Sequence, residues 1–317
     1  SSAASDVYKR QAMTSSLSAT SSPVDSATGQ PARKVLLGLI GSGIQRSLTP
    51  AMHEREGGHH GLRVHYQIID LDRAQVDPSV LPALLQSARI MGFDGLNITF
   101  PCKQQVIPLL DELSDEARAM GAVNTVVIRD GRTVGHNTDG SGWWDGLQRQ
   151  LPAADLSRVV LLGAGGAGSA IAHAALSRGV GELVVSDSDA RKAEQLAASL
   201  AGHYGADRVT SQSDVAVALQ GATGLVHATP TGMDKLPGLP LDENLLHAGL
   251  WVSEIVYFPL ETALLKAARA RGCATAHGGG MAVGQAVRAF ELFNPGLTAD
   301  ADRMEAHFRE LLTLRRD

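Results

Sequence analysis

The chain from Lys34 onward consists of short apolar runs of strand length that alternate with longer segments in which apolar residues recur at helical spacing. Such alternation is typical of parallel strands joined by crossover helices, so the sequence predicts an α/β fold. The predicted strands of the first part are Val35–Ile40, Val64–Leu71 and Gly95–Thr99, and the predicted helices are Pro50–Gly57, Pro78–Met91 and, in pieces, Gln104–Met120. Asn124–Asn137 is predicted to be a hairpin that turns at Asp130-Gly131, a pair favoured in two-residue turns.

A second unit of the same kind follows a predicted bridging helix, Asp139–Gln150. It runs through the strand Arg158–Leu162, a glycine-rich turn, the helix Ser169–Arg178 and the strand Glu182–Ser186. A chain of 317 residues is long enough for two hydrophobic cores. We therefore predict two domains, one over residues 35–139 and one over residues 140–278.

Composition narrows the function to small-molecule chemistry. The chain is 44% hydrophobic and 19% charged with a formal net charge of −5, and it has no basic run of the kind that binds nucleic acid or a membrane surface. Its most apolar stretch, Val159–Val180, is broken by glycines and by Arg178, which argues against a membrane span. The two cysteines, Cys102 and Cys273, lie far apart. We expect a cytoplasmic protein, a monomer or a homodimer, with no disulfide framework.

The first 34 residues differ from the rest, since they are rich in Ser, Ala and Thr and have little apolar periodicity. We predict a disordered N-terminal tail over residues 1–34. A Ser-rich, acid-poor leader is also compatible with a transit peptide. In a further interpretation Met13 is the natural start and residues 1–12 do not belong to the natural chain.

The glycine-rich turn is the first candidate for chemistry. It lies between a predicted strand and a predicted helix and consists of Gly163, Ala164, Gly165, Gly166, Ala167 and Gly168. In a G-x-G-x-x-G turn the first glycine permits the tight bend, the second lets backbone amides approach a pyrophosphate, and the third lets helix and strand pack closely. The motif in this setting predicts a dinucleotide-binding turn.

Asp187 ends the next strand, about 20 residues after the turn, where a carboxylate accepts hydrogen bonds from the adenosine ribose. A carboxylate there repels the 2′-phosphate of NADP, so we predict NAD as the cofactor. Arg191 and Lys192 follow closely and partly offset that charge, which leaves some use of NADP open. Alternatively Asp187 caps the following helix, although Asp189 is the better cap.

Four ordered segments of the first domain resemble the substrate-domain motifs of the shikimate/quinate dehydrogenase family. They are GSGIQRSLTPAMH (Gly41–His53), GLNITFPCK (Gly95–Lys103), GAVNT (Gly121–Thr125) and GHNTDG (Gly135–Gly140). The resemblance continues to the C-terminus through Ala228–Met233, Val256–Thr262 and Met281–Ala286. It implies an N-terminal substrate-binding domain followed by a Rossmann domain. It also implies that helices within 281–317, including an amphipathic helix over Ala299–Leu314, complete the first domain.

The resemblance implies that Lys103 is the catalytic lysine and that Asp139 is its carboxylate partner. The chemistry fits, because moving a hydride from a carbinol carbon to nicotinamide requires the oxygen to gain or lose a proton, and an amine beside a carboxylate can relay it. Without the surrounding motifs, Lys103 would be a surface lysine and Asp139 a helix cap.

The resemblance also implies binding residues for a ring acid. The implied substrate contacts are Ser47 and Thr49 for the carboxylate, Thr99, Asn124 and Gln285 for the ring hydroxyls, and Tyr257 for a further polar contact. Thr229 and Met281 are implied to lie at the cofactor, while the spacing around Met281 alone suggests a core residue. Ser47 and Thr49 alternatively cap the helix ahead of Pro50, and both roles are compatible.

We predict an NAD-dependent enzyme that interconverts shikimate with 3-dehydroshikimate and quinate with 3-dehydroquinate. The Ser-x-Thr carboxylate motif and Asp187 resemble the quinate-accepting members of the family. The alternatives are an NADP-dependent biosynthetic shikimate dehydrogenase, a relative acting on another ring acid such as aminoshikimate, as Arg46 beside Ser47 suggests, and an NAD-binding sensor without turnover. His227 and Glu254 depart from the Asn and Asp that are usual in the family.

Four histidines cluster in sequence: His53, His59, His60 and His65. Their spacing matches no metal-binding template, so we predict no metal site. We interpret the cluster as a solvated helix end.

Overall fold

Two six-stranded sheets organise the chain in the computed structural model, which describes residues 32–314. Residues 1–31, which hold most of the predicted tail, lie outside the described residues. The α/β fold class predicted from the apolar pattern is confirmed.

The first sheet has the strand order β2-β1-β3-β5-β6-β4. Its strands are β1 (Lys34–Gly41), β2 (Arg63–Asp70), β3 (Gly95–Ile98), β4 (Glu112–Leu113), β5 (Thr125–Arg129) and β6 (Arg132–His136). The apolar run of β1 is buried because this strand lies between two parallel neighbours, β2 and β3. The expectation of parallel strands is wrong for the pairing of β5 with β3, which is antiparallel. The antiparallel pairing of β5 with β6 is the predicted hairpin.

The hairpin of β5 and β6 turns where the sequence predicts. Asp130 and Gly131 both have positive φ, 52° and 76°, as the two-residue turn that matches strand twist requires. The prediction for Gln104–Met120 is only partly correct, because β4 pairs parallel with β6 in the middle of that segment.

The helices of the first half connect these strands and lead into the second unit. They are α1 (Thr49–His59), α2 (Leu71–Ala74), α3 (Leu81–Met91), α4 (Asp115–Met120) and α5 (Asp139–Gln150). Short 3-10 turns occupy Pro78–Val80 and Ile107–Leu109. The predicted helix Pro78–Met91 is therefore a 3-10 turn followed by α3, which ends at Gly92 in the left-handed conformation.

The second sheet is wholly parallel and has the order β12-β11-β10-β7-β8-β9. Its strands are β7 (Arg158–Leu162), β8 (Glu182–Ser186), β9 (Val209–Ser211), β10 (Gly224–His227), β11 (Trp251–Glu254) and β12 (Ala274–Ala276). The chain order reverses between β7 and β10. In a doubly wound sheet that reversal opens a crevice at the carboxyl ends of the strands, where ligands bind.

The helices of the second half are α6 (Gly166–Ser177), α7 (Ala190–Tyr204), α8 (Val215–Ala218), α9 (Ala263–Ala270), α10 (Gly279–Phe293) and α11 (Ala301–Leu314), with a 3-10 turn at Glu243–Leu245. The Asp189 carboxylate caps α7 by accepting a hydrogen bond from the Arg191 amide. The alternative in which Asp187 caps this helix is therefore wrong.

The last two helices share a core with the start of the chain. Val283 and Phe290 of α10 and Phe308 of α11 belong to one buried cluster with Leu48 and Met52 at α1. No helix within residues 32–314 is long and apolar enough to cross a membrane.

Helices α5 and α10 cross with their backbones in contact. A Cβ atom at Gly142 would lie 2.6 Å from the Gln285 nitrogen, and one at Gly146 would lie 2.7 Å from the Gly280 carbonyl oxygen. Only glycine permits this approach. The crossing brings Gln285 of α10 towards Asp139, the first residue of α5.

Candidate active site

A cavity of about 380 Å³ lies between the carboxyl end of the first sheet and the glycine-rich turn of the second. Its lining includes both predicted catalytic residues and all six predicted substrate contacts. The predicted residues in the lining are Ser47, Thr49, Thr99, Lys103, Asn124, Asp139, Ala167, Tyr257, Met281 and Gln285. The structure thus brings together residues that are up to 238 positions apart in sequence, from 47 to 285.

Lys103 and Asp139 form an ion pair in this cavity, with 2.5 Å between Lys103 Nζ and Asp139 Oδ2. The lysine side chain keeps 26% of its surface exposed, whereas the aspartate keeps 3%. Asp139 is the first residue of α5, and Thr138 occupies the capping position, so the interpretation of Asp139 as the helix cap is wrong. Its charge lies at the positive end of the helix dipole.

Asn124 holds the second oxygen of Asp139. Its Nδ2 donates to Asp139 Oδ1 at 3.0 Å, and its Oδ1 accepts from the Thr138 amide at 2.8 Å. Asn124 is buried at the start of the hairpin. This bond fixes the orientation of the Asp139 carboxylate. Lys103 is the more exposed member of the pair and is therefore the one that a ligand in the cavity can reach.

Ser47 and Thr49 lie side by side at the start of α1. The Ser47 hydroxyl donates to Thr49 Oγ1 at 3.1 Å, and it accepts a hydrogen bond from the Thr49 amide at 3.3 Å. The second bond ties down the entry to the helix, although the residue at the formal capping position, Leu48, makes no side-chain cap. Both predicted roles, helix entry and cavity lining, are compatible in this geometry.

Sequence reasoning missed Asn97 and Thr138, which also line the cavity. Asn97 Nδ2 donates to the Asn124 carbonyl oxygen and to Thr125 Oγ1, and Asn97 Oδ1 accepts from the Tyr66 hydroxyl at 2.6 Å. The sequence carries a signal for Asn97, because positions two apart on a strand share a face and Thr99 is a predicted substrate contact.

His53 contradicts the interpretation of the histidine cluster as a solvated helix end. Its side chain is fully buried among Tyr66, Phe290 and Phe293, and neither ring nitrogen has a hydrogen-bond partner. Burial, partly opposed by the Glu56 carboxylate, lowers the pKa of the His53 imidazole to about 3. His53 is therefore neutral at physiological pH. Among the described residues no group of three or more His, Cys, Asp or Glu side chains is arranged to hold a metal ion.

The glycine-rich turn has the geometry that a pyrophosphate requires. Gly163 has φ of 110°, and a Cβ atom at Gly168 would overlap the Gly163 carbonyl oxygen. By contrast, nothing lies within 4 Å of a Cβ atom at Gly165 or Gly166. Helix α6 begins at Gly166 with no side-chain cap, so the amides of its first turn are left for an anion. These residues fit a bound dinucleotide.

Asp187 closes the far side of this turn. Its carboxylate accepts hydrogen bonds from the Ala164 amide at 2.7 Å and from the Asp189 amide at 2.9 Å. Burial raises the pKa of the Asp187 carboxyl, but these bonds and the Lys192 charge outweigh burial and hold that pKa below its usual value. Asp187 is therefore an anion at the position where the adenosine ribose binds in this fold.

Of the remaining predicted cofactor residues, Met281 lines the cavity, whereas Arg191, Lys192 and Thr229 do not. Arg191 pairs with Asp189 at 3.6 Å, and Lys192 is exposed on the same helix. Thr229 follows β10, and its methyl group would lie 3.0 Å from a Cβ atom at Gly163. Met281 is buried and borders the cavity, so it serves as a core residue and lines the site.

A Rossmann domain with an open glycine turn, joined to a substrate domain by a cavity that holds a lysine–aspartate pair, defines a pyridine-nucleotide-dependent oxidoreductase. Comparison with known proteins supports this class. A family model described as the shikimate dehydrogenase substrate binding domain matches residues 39–126. The chain belongs to the shikimate dehydrogenase family.

Three relatives illustrate the match. The shikimate dehydrogenase (NADP(+)) of Streptomyces avermitilis is 56% identical over 278 residues, which cover 87% of this chain and 95% of that protein. The quinate/shikimate dehydrogenase (NAD(+)) of Corynebacterium efficiens is 48% identical over 280 residues, which cover 87% of this chain and 98% of that protein. The solved structure of quinate dehydrogenase from Corynebacterium glutamicum in complex with NAD is 46% identical, with a TM-score of 0.83 and coverage of 88% and 99%.

Proposed function

We propose that this chain is an NAD-dependent oxidoreductase that interconverts shikimate with 3-dehydroshikimate and quinate with 3-dehydroquinate. The observation that carries the proposal is the Lys103–Asp139 ion pair in a cavity rich in hydroxyl and amide side chains. A ring acid with several hydroxyls is recognised by such groups through directed hydrogen bonds. The relatives named for shikimate and quinate support the same substrate class.

We assign the proton transfer to Lys103 Nζ. When the carbinol carbon is oxidised, its hydroxyl loses a proton, and Nζ accepts it; in the reverse direction Nζ donates a proton to the carbonyl oxygen. Asp139 Oδ2, 2.5 Å away, holds the amine in position and balances its charge. Asn124 keeps the carboxylate from rotating. Bound NAD supplies the nicotinamide carbon that accepts the hydride.

We assign the substrate carboxylate to Ser47 and Thr49, whose hydroxyls lie 3.1 Å apart at the cavity wall. The ring hydroxyls are assigned to Thr99, Asn124 and Gln285, and a further polar contact to Tyr257. Thr49 offers a methyl group and a hydroxyl near C1 of the substrate, where quinate carries a hydroxyl that shikimate lacks. This pair of groups supports acceptance of quinate.

We assign residues 35–139 with the helices of 281–317 to the substrate domain and residues 140–278 to the dinucleotide domain. The buried cluster shared by α1, α10 and α11 supports this division, because it ties the C-terminal helices to the first half of the chain.

The choice of NAD rests on Asp187. Its carboxylate is bonded to the glycine turn and is ionised, so a ribose hydroxyl at this point finds an acceptor and a 2′-phosphate meets repulsion. Arg191 is held by Asp189 on the exposed side of α7, which reduces the positive charge available to a phosphate.

A second candidate is an NADP-dependent shikimate dehydrogenase. The Streptomyces avermitilis relative, which carries NADP(+) in its name and is 56% identical, favours this alternative. The exposed Lys192 near Asp187 is the cation that would assist it.

Initial rates decide between these candidates. Quinate and shikimate are each tested with NAD and with NADP at neutral to alkaline pH, and the Lys103→Ala variant serves as the control. Turnover of both acids with NAD and an inactive control support the proposal. Turnover of shikimate with NADP alone shows the second candidate to be correct. Retained binding of NAD with no turnover in any of the four pairs points to a sensor or to another ring acid such as aminoshikimate.

A further inference from the structure

A buried series of hydrogen-bonded side chains joins the two loops that leave β10 and β11. His227 ends β10 and Glu254 ends β11, and the two residues are direct partners in the parallel register. His227 Nδ1 lies 2.9 Å and 3.0 Å from the two carboxylate oxygens of Glu254. Both side chains have no exposed surface. A polar pair so deeply buried needs a complete set of hydrogen bonds.

The carboxylate of Glu254 accepts three hydrogen bonds, which places the proton of the shared bond on His227. Besides His227 Nδ1, its donors are the Val256 amide at 3.0 Å and the Thr262 hydroxyl at 3.1 Å. Because a carboxylate only accepts, Nδ1 of His227 carries a proton. In the neutral ring Nε2 is then an acceptor.

The acceptor at Nε2 determines the orientation of the Thr229 hydroxyl. Thr229 Oγ1 lies 2.5 Å from His227 Nε2, so the hydroxyl proton is directed to the histidine. The Thr229 oxygen also accepts from the Thr231 amide at 3.3 Å. Unlike His227 and Glu254, Thr229 is partly exposed. Its oxygen therefore presents a lone pair, rather than a proton, to whatever binds beside it.

Thr229 stands next to the glycine turn. The Ala228 amide donates to the Leu162 carbonyl oxygen at 2.7 Å, where β7 ends and the turn begins, and a Cβ atom at Gly163 would lie 2.6 Å from the Ala228 oxygen. The main chain at Ala228 and the turn are therefore in contact. A shift of the Thr229 loop would be transmitted to the turn.

The other end of this series reaches the substrate side. The amide and hydroxyl held by Glu254 belong to the first and last parts of the loop of residues 255–262, in which Ile255 and Tyr257 line the cavity. One carboxylate thus anchors the loop beside the glycine turn and the loop beside the substrate.

We propose that Glu254 and His227 are positioning residues that orient the Thr229 hydroxyl as a hydrogen-bond acceptor for a donor group of the dinucleotide, while Glu254 separately anchors the substrate loop. The inference rests on the proposed function, because it takes the glycine turn to be the dinucleotide site. It extends that function by giving the cofactor loop and the substrate loop a common anchor.

The test weakens the contact that holds the histidine proton without removing the side chain. Glu254→Gln removes the charge and one of the two oxygens that accept from His227 Nδ1, because the Val256 amide needs the oxygen that remains. The preference for a proton on Nδ1 is then reduced, and the Thr229 hydroxyl loses its fixed orientation. We expect the Kd for NADH, measured by equilibrium titration without any hydroxy acid, to rise about tenfold. Thr229→Val, which removes the hydroxyl at constant volume, should raise that Kd by a similar factor.

The double variant Glu254→Gln/Thr229→Val distinguishes positioning from general damage. If Glu254 acts through Thr229, adding Glu254→Gln to Thr229→Val changes the Kd for NADH by less than about twofold. The proposal is wrong if Glu254→Gln raises the Kd for NADH by the same factor in the wild-type protein and in Thr229→Val. It is also wrong if Glu254→Gln alone leaves this Kd unchanged. Melting temperatures of all variants identify any that fail to fold, and Thr229→Val alone, at a partly exposed position, then still tests the hydroxyl.

Thr262→Val is the matched control, because it removes a different donor to the same carboxylate. We expect it to leave the Kd for NADH within about twofold and to raise the KM for the ring acid at saturating dinucleotide. A Kd raised as much as in Glu254→Gln would show a structural role only. Since the Kd is measured without substrate, failure of turnover with quinate and shikimate would disprove the proposed function and leave this test intact.

Discussion

The glycine turn and the cavity next to it contrast in how they would recognise a ligand. The turn offers main-chain amides and has empty space at Gly165 and Gly166. A ligand can approach these amides because the glycines have no side chains. The cavity offers hydroxyl, amide, amine and carboxylate groups that come from distant parts of the chain. The turn needs only the correct local sequence, whereas the cavity needs the whole fold to be correct.

The turn and the cavity tolerate different changes. A side chain added where the turn packs on itself, as at Gly168, meets backbone atoms that cannot move aside. The clash is expected to lower the free energy of unfolding. A side chain removed from the cavity leaves the fold in place and damages chemistry.

The largest effect is expected at Lys103. Lys103→Met keeps the aliphatic stem but removes the amine, and Asp139 retains its bond from Asn124. We expect kcat to fall by about 10³-fold because proton transfer loses its relay. Steady-state kinetics measure the loss, and the Kd for NADH should stay within about twofold as the internal control. A variant that keeps a tenth of the wild-type kcat would contradict the assignment.

Gly168→Ala tests the steric side of the comparison. Its Cβ atom would overlap the Gly163 carbonyl oxygen, so we expect the free energy of unfolding to drop by about 2 kcal/mol and dinucleotide binding to weaken as the turn shifts. Urea denaturation measures the first effect. The matched control is Gly202→Ala, an exposed site on α7 with nothing within 4 Å, where alanine should stabilise slightly. Equal stability of the two variants would refute the steric account.

We predict that cofactor choice depends on Asp187, whose carboxylate accepts a hydrogen bond from the Ala164 amide of the turn. Asp187→Asn keeps an acceptor for the Ala164 amide but removes the charge. We expect kcat/KM to fall about tenfold with NAD and to rise with NADP, as repulsion of the 2′-phosphate disappears. Asp189→Asn, two residues later at the helix cap, should leave the ratio of NAD to NADP unchanged. If both variants shift the ratio alike, general charge rather than Asp187 determines the choice.

The smallest effect concerns stability at the floor of the cavity. The pKa of His53 is lowered to about 3, so below the ordinary value near 6.5 the unfolded chain binds a proton that the folded chain excludes. The free energy of unfolding should therefore fall as pH decreases from 6.5, by about 1 kcal/mol by pH 5.5.

His53→Leu should remove this part of the pH dependence. Denaturation curves at pH 7.5 and 5.5 provide the comparison, and His65→Leu, on the exposed side of β2, should keep the wild-type dependence. Identical pH dependence in wild type and His53→Leu would show that the folded protein accommodates the charged ring.

Local patterns predicted most of the fold. The apolar run of β1, the Asp130-Gly131 turn and the strand–glycine–helix unit around Gly163 depend on interactions close in sequence, and each was predicted correctly. The pairing of β4 with β6 was not predicted. A strand of two residues is too short to show a periodic pattern, and it forms only because β6 provides its hydrogen-bond partners.

The candidate site divides in the same way. Asp187 follows from its distance to the turn, whereas the convergence of Lys103 with Asp139 was predicted from a family resemblance and not from physical pattern. The burial of His53 was missed, since its aromatic neighbours Phe290 and Phe293 lie more than 200 residues away in sequence. His227 and Glu254 each depart from the residue that is usual in the family, but nothing in the sequence indicates that they touch.

The backbone contact between α5 and α10 has a consequence for redesign of the enzyme. At Gly142 and Gly146 an added carbon would meet the backbone of α10 at Gln285 and Gly280, so no side-chain rotation alone can make room for it. A mutant library that includes these two positions of α5 would lose the members altered there. Diversity aimed at new ring acids belongs instead on cavity-lining positions such as Thr49 and Tyr257, which are not part of this helix contact.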